Sequence, residues 1–310
     1  MKKIISILVL SLLMFGAASA QDMESATNQY NDALMTMNSG DKVSALAGFE
    51  QALQDAITIG PEAADLANNC KTVIPKLYYY IGQDLAKEKK YEEAVAKEQK
   101  AISKAKEFGN TEFAQKASDF IADIYLGQGN DLINSKDYKG ASDAYAKSVK
   151  INPNNAMAFL RLGMAASRSG QEDLAIEAYG KASALGQKKT ADAQLSKYFV
   201  MKSNSLRISK KYKEAMEYAK KSSDVQPNAL AYKLYAISAI SSKDYKAAAE
   251  GFKEYLKLSP NAKDADAMKF QLATSLEKLG EKAEARKYYQ QIVKNPKFKE
   301  YALSRVKALS

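Results

Sequence analysis

A short connector stands three times in the chain, from residue 151 onward, and this repetition limits the possible folds more than any other feature. The three copies are Ile151–Ala156 (INPNNA), Val225–Ala229 (VQPNA) and Leu258–Ala262 (LSPNA). Ahead of each copy, apolar residues recur at three- and four-residue steps, which is the spacing of an amphipathic helix. One unit repeated at a near-constant period favours a stack, in which each unit buries its apolar face against its neighbours.

A second motif marks a turn inside each unit. In this motif a lysine or aspartate precedes a tyrosine, and an alanine follows three residues after the tyrosine. The motif stands at 90–94, 137–141, 211–215 and 244–248. In the units that lack this tyrosine, the same turn is marked by Gly40, Gly170 and Gly280. We expect the tyrosine to hold the turn and the alanine to begin a close contact between two helices, since a large side chain there would hold the helix axes apart.

Small and large residues alternate around the expected helix crossing. Gly82, Gly129 and Gly163 supply the small residue on the first helix of a pair. Four residues beyond the turn alanine, an aromatic side chain completes the contact in five units: Phe49, Tyr145, Tyr179, Phe252 and Tyr289. This combination resembles the tetratricopeptide repeat family, whose unit is a helix, a tight turn and a second helix in 34 residues.

The resemblance covers nearly all of residues 21–310. In the copy at 156–189, the matching residues are Phe159, Leu162, Gly163, Ala175, Tyr179 and Ala182. Seven helix pairs are counted from their turn alanines: Ala45, Ala94, Ala141, Ala175, Ala215, Ala248 and Ala285. The resemblance implies an all-α, helix-pair solenoid wound as a right-handed superhelix.

Residues 21–310 are thus predicted to form one repeat domain. The best copies of the repeat are 122–155, 156–189, 196–228, 229–261 and 266–297. Residues 298–310, with apolar Tyr301, Leu303, Val306 and Leu309, are predicted to form a helix that caps the open end of the stack.

Two departures from the repeat pattern stand in the first half. The turn alanines Ala45, Ala94 and Ala141 are separated by 49 and 47 residues, which predicts lengthened helices or extra connectors. Pro75 either starts a helix or kinks one, because proline removes an internal hydrogen bond. The pattern does not decide between them.

The N-terminus has the pattern of a cleaved secretory signal over residues 1–20. Lys2 and Lys3 supply the positive start, Ile4–Phe15 the apolar run, and Ala18–Ala20 a small-residue cleavage site. The run is shorter than the ~20 residues of a membrane-spanning helix. The cleavage site also lacks the cysteine that bacterial lipid attachment requires. We therefore expect a mature protein that begins at Gln21, is exported to the periplasm and has no membrane span.

The single cysteine, Cys70, cannot form an internal disulfide. It is expected to be a small apolar core residue, with a reactive thiol or an intermolecular bridge as the alternative. Charge is distributed unevenly along the chain. Residues 21–187 carry 18 basic and 23 acidic side chains, a net charge of −5, whereas residues 188–310 carry 26 and 13, a net charge of +13.

Composition argues against an enzyme. Histidine is absent from the sequence, which removes the commonest general base and the commonest metal ligand. One cysteine cannot build a zinc cluster, and the sequence contains no phosphate-binding loop, nucleophile elbow or paired-histidine motif. We predict no catalytic residue, no metal site and no cofactor.

The pattern favours a scaffold that holds a peptide or a partner protein on the concave face lined by the first helices. A structural subunit of an envelope assembly or secretion machine is one alternative. A binder of anionic glycan or lipid through the basic half is another, and export favours such partners over nucleic acid. The carboxylate clamp known in the resembling family is incomplete, because Lys197 and Asn204 have suitable types but the preceding helix offers Leu160 and Met164.

The candidate binding groove is placed on the first helices at 122–136, 156–169, 196–210 and 229–242. Its predicted residues are Leu126, Asn130, Leu160, Met164, Lys197, Val200, Asn204, Arg207, Lys233 and Ile237. On the third of these helices, Phe199, Ser203 and Leu206 are predicted to face the neighbouring helix instead. An apolar strip with a basic rim suits an amphipathic partner segment that carries acidic residues.

Overall fold

The computed structural model describes the backbone of residues 2–310 and the side chains from Ala20 onward. The predicted signal, apart from Ala20, therefore lies outside the residues whose side chains are described. In the part of the chain that is described, no helix has the combined length and apolar character needed to cross a membrane.

The fold is all-α and consists of helices arranged in successive pairs. The first three pairs are α1 (Lys2–Asn38) with α2 (Lys42–Ile59), α3 (Ala64–Lys87) with α4 (Tyr91–Glu107), and α5 (Thr111–Asn134) with α6 (Tyr138–Ile151). The next four are α7 (Ala156–Ser169) with α8 (Glu172–Ala182), α9 (Lys188–Ile208) with α10 (Tyr212–Val225), α11 (Ala229–Ser241) with α12 (Tyr245–Leu258), and α13 (Ala265–Lys278) with α14 (Lys282–Ile292). Helix α15 (Lys299–Ala308) follows the last pair.

The chain divides into two compact units, Met1–Ala158 and Phe159–Ser310. The single repeat domain predicted for 21–310 thus contains both. Unit 1, residues 1–158, has a core cluster on α2 and α3 that includes Phe49, Cys70 and Ile74. Unit 2, residues 159–310, has its largest cluster around Phe252, Leu272, Leu276, Tyr289 and Ile292.

The wide spacing of the early turns is explained by long helices, because α3 and α5 have 24 residues each. Pro75 lies buried inside α3. Since this helix begins at Ala64, the proline does not start it. The sequence left open whether Pro75 starts a helix or lies within one, and the structure shows that it lies within α3.

The tyrosine motif marks the turn inside a pair, as predicted. The second helix begins at that tyrosine in four pairs, at Tyr91, Tyr138, Tyr212 and Tyr245. Gly40, Gly170 and Gly280 take the left-handed conformation at the corresponding turns. In the four tyrosine turns a lysine takes it instead, with φ between 62° and 65°, at Lys89, Lys136, Lys210 and Lys243.

The predicted helix crossing is confirmed in detail. All seven turn alanines are fully buried. A Cβ on Gly129 would lie 2.5 Å from the ring of Tyr145, and a Cβ on Gly163 would lie 2.8 Å from the ring of Tyr179. Glycine is therefore required where the aromatic ring of the second helix lies against the backbone of the first.

One pair has a carboxylate at the position where five other pairs have an aromatic ring. Glu98 stands four residues beyond Ala94 and lies against Gly82. Its side chain is fully buried, and within the described residues neither carboxylate oxygen has a hydrogen-bond partner. Burial raises the pKa of Glu98 to about 8, because the low-dielectric interior disfavours the charged form.

Helix α15 packs on the last pair, where Ala302 is fully buried and Val306 and Leu309 contact the unit 2 cluster. Arg305 donates through Nε to Glu277 on α13 at 3.2 Å. Tyr301 and Leu303 are largely exposed, so the apolar face of this helix is narrower than its sequence indicates.

We predict that Ala175→Leu destabilises the fold by about 1 to 3 kcal/mol, because a larger side chain overfills the crossing of α7 and α8. Thermal and urea unfolding would measure the change. Ala193→Leu, at an exposed position of α9, is the control and should leave stability nearly unchanged. An unchanged midpoint for Ala175→Leu would contradict the packing described for this alanine.

Replacing the left-handed Lys243 by glycine should stabilise the protein by roughly 0.5 to 1 kcal/mol. The reason is that a Cβ is strained at positive φ and glycine is not. Lys220→Gly, at an exposed position in the middle of α10, is the matched control and should cost about 1 kcal/mol because glycine weakens a helix interior. Urea unfolding would show the two opposite signs, and destabilisation by both changes would refute the claim of strain at Lys243.

Glu98 should make stability fall as pH rises. Because its pKa is raised from its ordinary value of 4.5 to about 8 in the folded state, the folded protein binds the proton more tightly than the unfolded chain. The contribution of Glu98 to the free energy of unfolding is fully present below about pH 4.5. Between about pH 4.5 and pH 8 it falls, by up to about 1.4 kcal/mol per pH unit. Unfolding measured from pH 5 to 8.5 should show that Glu98→Gln reduces this slope, whereas the exposed Glu93→Gln keeps it. Equal slopes in the two variants would show that Glu98 does not titrate as described.

Candidate functional site

Two of the ten predicted groove residues are core residues. Leu160 is only 5% exposed and packs in a cluster with Ala166, Ala175 and Tyr179. Val200 is 8% exposed and packs with Ala219, among others. Neither side chain leaves enough surface for a ligand, so their assignment to the groove was wrong. A first helix packs against its own partner and against the next pair, which buries more of its circumference than a single apolar stripe suggests.

Two of the three predicted rim cations, Arg207 on α9 and Lys233 on α11, have partners within the protein. Arg207 donates through Nη2 to Asn204 Oδ1 at 3.0 Å, and both side chains are partly buried. Lys233 on α11 forms an ion pair with Asp264. The hydrogen bond from Lys233, followed by that from Tyr255, holds the pKa of Asp264 below its usual range. Lys197 is the rim cation that the structure leaves exposed.

The remaining predicted residues occupy intermediate positions. Met164 is partly buried against the cluster on α7 and α8, and Ile237 is partly buried against the largest unit 2 cluster. On α5 in unit 1, Leu126 is partly buried. Asn130 Oδ1 accepts a hydrogen bond from the hydroxyl of Tyr145 at 2.8 Å. A role in ligand binding stays a prediction for these residues.

The exposed face of α9 differs by one residue from the predicted face. Its inner face contains Ser196, Phe199, Val200 and Ser203, and its outer face contains Lys197 together with two large apolar side chains, Met201 and Ile208. These two are 62% and 66% exposed. Successive helix residues are about 100° apart, so a projection that places Phe199 and Ser203 inward would have pointed Met201 and Ile208 outward. The spacing of Lys197, Met201 and Ile208 thus indicates the exposed face, whereas the predicted face was drawn through Lys197 and Val200.

An exposed apolar residue also stands on the first helix of the next pair in unit 2. Leu230 on α11 is 50% exposed and stands 18 residues before its turn alanine, the same repeat position as Lys197 on α9. Equivalent positions of stacked repeats line up along one surface. We name Lys197, Met201, Ile208 and Leu230 the apolar strip.

Several side-chain contacts fix the position of α9. Ser203 donates to the carbonyl of the turn alanine Ala215 at 2.8 Å, and Ser196 lies 2.8 Å from Ser222. On the other side, Glu172 of α8 accepts hydrogen bonds from Tyr218 at 2.7 Å and Tyr198 at 3.2 Å. These contacts link α8, α9 and α10, so the exposed face of α9 is held by rigid neighbours.

Unit 1 contains an open groove between α3 and α5 that the sequence did not indicate. Two adjoining cavities of about 330 Å³ and 430 Å³ share Phe120 and Asp123 in their walls. Tyr79 and Gln83 of α3 line the opposite side. Neither of the predicted unit 1 residues, Leu126 and Asn130, belongs to the lining of these two cavities.

The thiol of the single cysteine is enclosed in the core of unit 1. Cys70 is fully buried, and burial raises the pKa of its thiol to about 11, so the alternative of a reactive thiol is not supported. In the described part of the chain, no group of three or more histidine, cysteine, aspartate or glutamate residues is arranged to hold a metal ion.

Two regions of the chain match family models of the tetratricopeptide repeat, residues 126–193 and residues 266–297. The second coincides with the copy predicted at 266–297. The chain is 32% identical to the small glutamine-rich tetratricopeptide repeat-containing protein 2 of Mycosarcoma maydis over 107 residues, which are 34% of this chain and 29% of that protein.

A TPR repeat-containing protein of Methanocaldococcus jannaschii is 25% identical over 282 residues, covering 88% of this chain and 44% of that protein. The chain thus spans less than half the length of both relatives. Among solved structures, the MamA protein aligns with a TM-score of 0.36 at 20% identity, over 58% of this chain and 94% of that one. The paired helices with small residues at their crossings, the two matching regions and the two sequence relatives lead to one conclusion: this chain contains tetratricopeptide repeats.

Proposed function

We propose that the protein is a non-catalytic periplasmic scaffold that holds a peptide or partner protein on the apolar strip of unit 2. The observation that carries the proposal is the exposure of Met201 and Ile208 on the outer face of α9. Large apolar side chains grouped on a rigid surface mark interaction sites, because covering them removes apolar area from water. The repeat fold itself supports a role in protein interaction.

Charge supports an acidic or amphipathic partner. Residues 188–310 carry a net charge of +13, and exposed Lys197 stands one helical turn before Met201. A partner segment with apolar and acidic side chains would match both features. Because exposed charges are screened over about 8 Å at physiological ionic strength, binding should weaken as salt rises.

The periplasmic location is supported by the signal pattern of residues 1–20, and the absence of catalysis by the composition. The sequence contains no histidine, and the one thiol is buried in a core. The repeats themselves supply a function that needs no chemistry, namely the presentation of an ordered surface.

The decisive experiment compares partner capture from periplasmic extract by tagged variants. Replacing Met201 and Ile208 by aspartate should weaken retention of the physiological partner at least about tenfold, since about 1.4 kcal/mol of lost apolar contact suffices. The matched control replaces Met35 and Val43 of unit 1, which are 64% and 62% exposed, and should retain the same partners as the wild type.

Lys197→Glu tests the charge contribution separately. It should reduce binding most at low salt and little at high salt. Retention of every partner by the Met201 and Ile208 variant, with its helix content and thermal midpoint intact, would place the ligand elsewhere.

A further inference from the structure

The groove between α3 and α5 of unit 1 has an aromatic wall. Tyr79 of α3 contacts Phe113 and Phe120 of α5, with ring centroids 5.6 Å and 5.4 Å apart. These contacts fix the rings beside the two cavities that meet at Phe120 and Asp123. The groove is therefore a formed surface held by core packing.

Three carboxylates on α5 stand along this wall: Glu112, Asp119 and Asp123. Asp119 accepts a hydrogen bond from Gln115 at 2.9 Å, whereas Asp123 has neither an ion pair nor a hydrogen bond within the described part of the chain. Asp123 is solvent-exposed on one side, but partial desolvation against the groove wall, followed by repulsion from Asp119, raises its pKa. A positive charge placed between these two aspartates would relieve that repulsion.

The cations of the groove do not neutralise this pair of aspartates. Lys87 forms an ion pair with Asp84 at 3.2 Å. Lys116 lies over the ring of Tyr79, 5.1 Å from its centroid, and 5.9 Å from that of Phe113. Lys116 thus makes a cation–π contact with the aromatic wall, because the negative face of a ring favours a nearby cation.

We propose that this groove binds a basic segment of a partner protein, with a lysine or arginine side chain between Asp119 and Asp123 and its apolar stem along Phe120. Long basic side chains suit such a site because they combine an apolar stem with a charged end. This site goes beyond the scaffold function above, since it lies in unit 1 and selects the opposite charge from the apolar strip.

The test uses two fluorescein-labelled peptides of equal length, one with alternating lysine and leucine and one with alternating glutamate and leucine. Fluorescence anisotropy at moderate salt should show that the wild-type protein prefers the basic peptide. Changing both Asp119 and Asp123 to asparagine should raise the Kd for that peptide at least about tenfold.

The matched control changes Asp65 and Asp143 to asparagine, which removes the same charge from two exposed positions of unit 1. It should alter the Kd less than about twofold. The variant with Met201 and Ile208 replaced should bind the basic peptide as the wild type does, which separates failure of this site from failure of the apolar strip. Asp123→Asn alone provides a milder change if the double variant does not fold.

Three results would overturn the proposal. The first is equal affinity of the wild type for both peptides, and the second is an equal loss of affinity in the groove and control variants. The third is self-association of the wild type, seen by analytical ultracentrifugation, that the Asp119 and Asp123 change abolishes. That result would identify the basic second half of another copy as the occupant in place of a separate partner.

Discussion

The close crossing of the two helices in each pair is the contact on which the rest of the structure depends. A fully buried alanine after every turn brings the helix axes together, and in two pairs a tyrosine ring of the second helix then lies directly against a glycine of the first. Since this contact sets the angle between helices, it also decides which residues of each first helix remain outside. The exposed face of α9 is thus a consequence of packing on its opposite side.

Glu98 shows how strongly this crossing constrains the chain. The same geometry that holds a ring of Tyr145 or Tyr179 encloses a carboxyl group completely in the α3 and α4 pair. Enclosure without a partner favours the protonated acid, so the crossing can retain a polar side chain only in its uncharged form near neutral pH.

Features with a local cause could be predicted from the sequence. The turn tyrosines, the left-handed glycines and the glycines at the crossings depend on residues close in the chain or on a repeated spacing. The exposed binding face could not be assigned as well, because Val200 and Met201 differ by one residue, or about 100° on the helix. The partner of Lys233 lies 31 residues away, and the aspartates of α5 become a site only where α3 supplies Tyr79. Such pairings require the tertiary arrangement.

The rate at which the single cysteine reacts can report how often unit 1 opens transiently. Cys70 is enclosed by α2 and α3 beside Phe49 and Ile74, and the raised pKa of its thiol leaves almost no thiolate at neutral pH. A thiol reagent can modify it only during the rare moments when these helices separate, so the modification rate reflects the frequency of opening. Because the chain has no second thiol, that rate belongs to unit 1 alone, and occupancy of its groove could be followed as a slowing of the reaction without any added label.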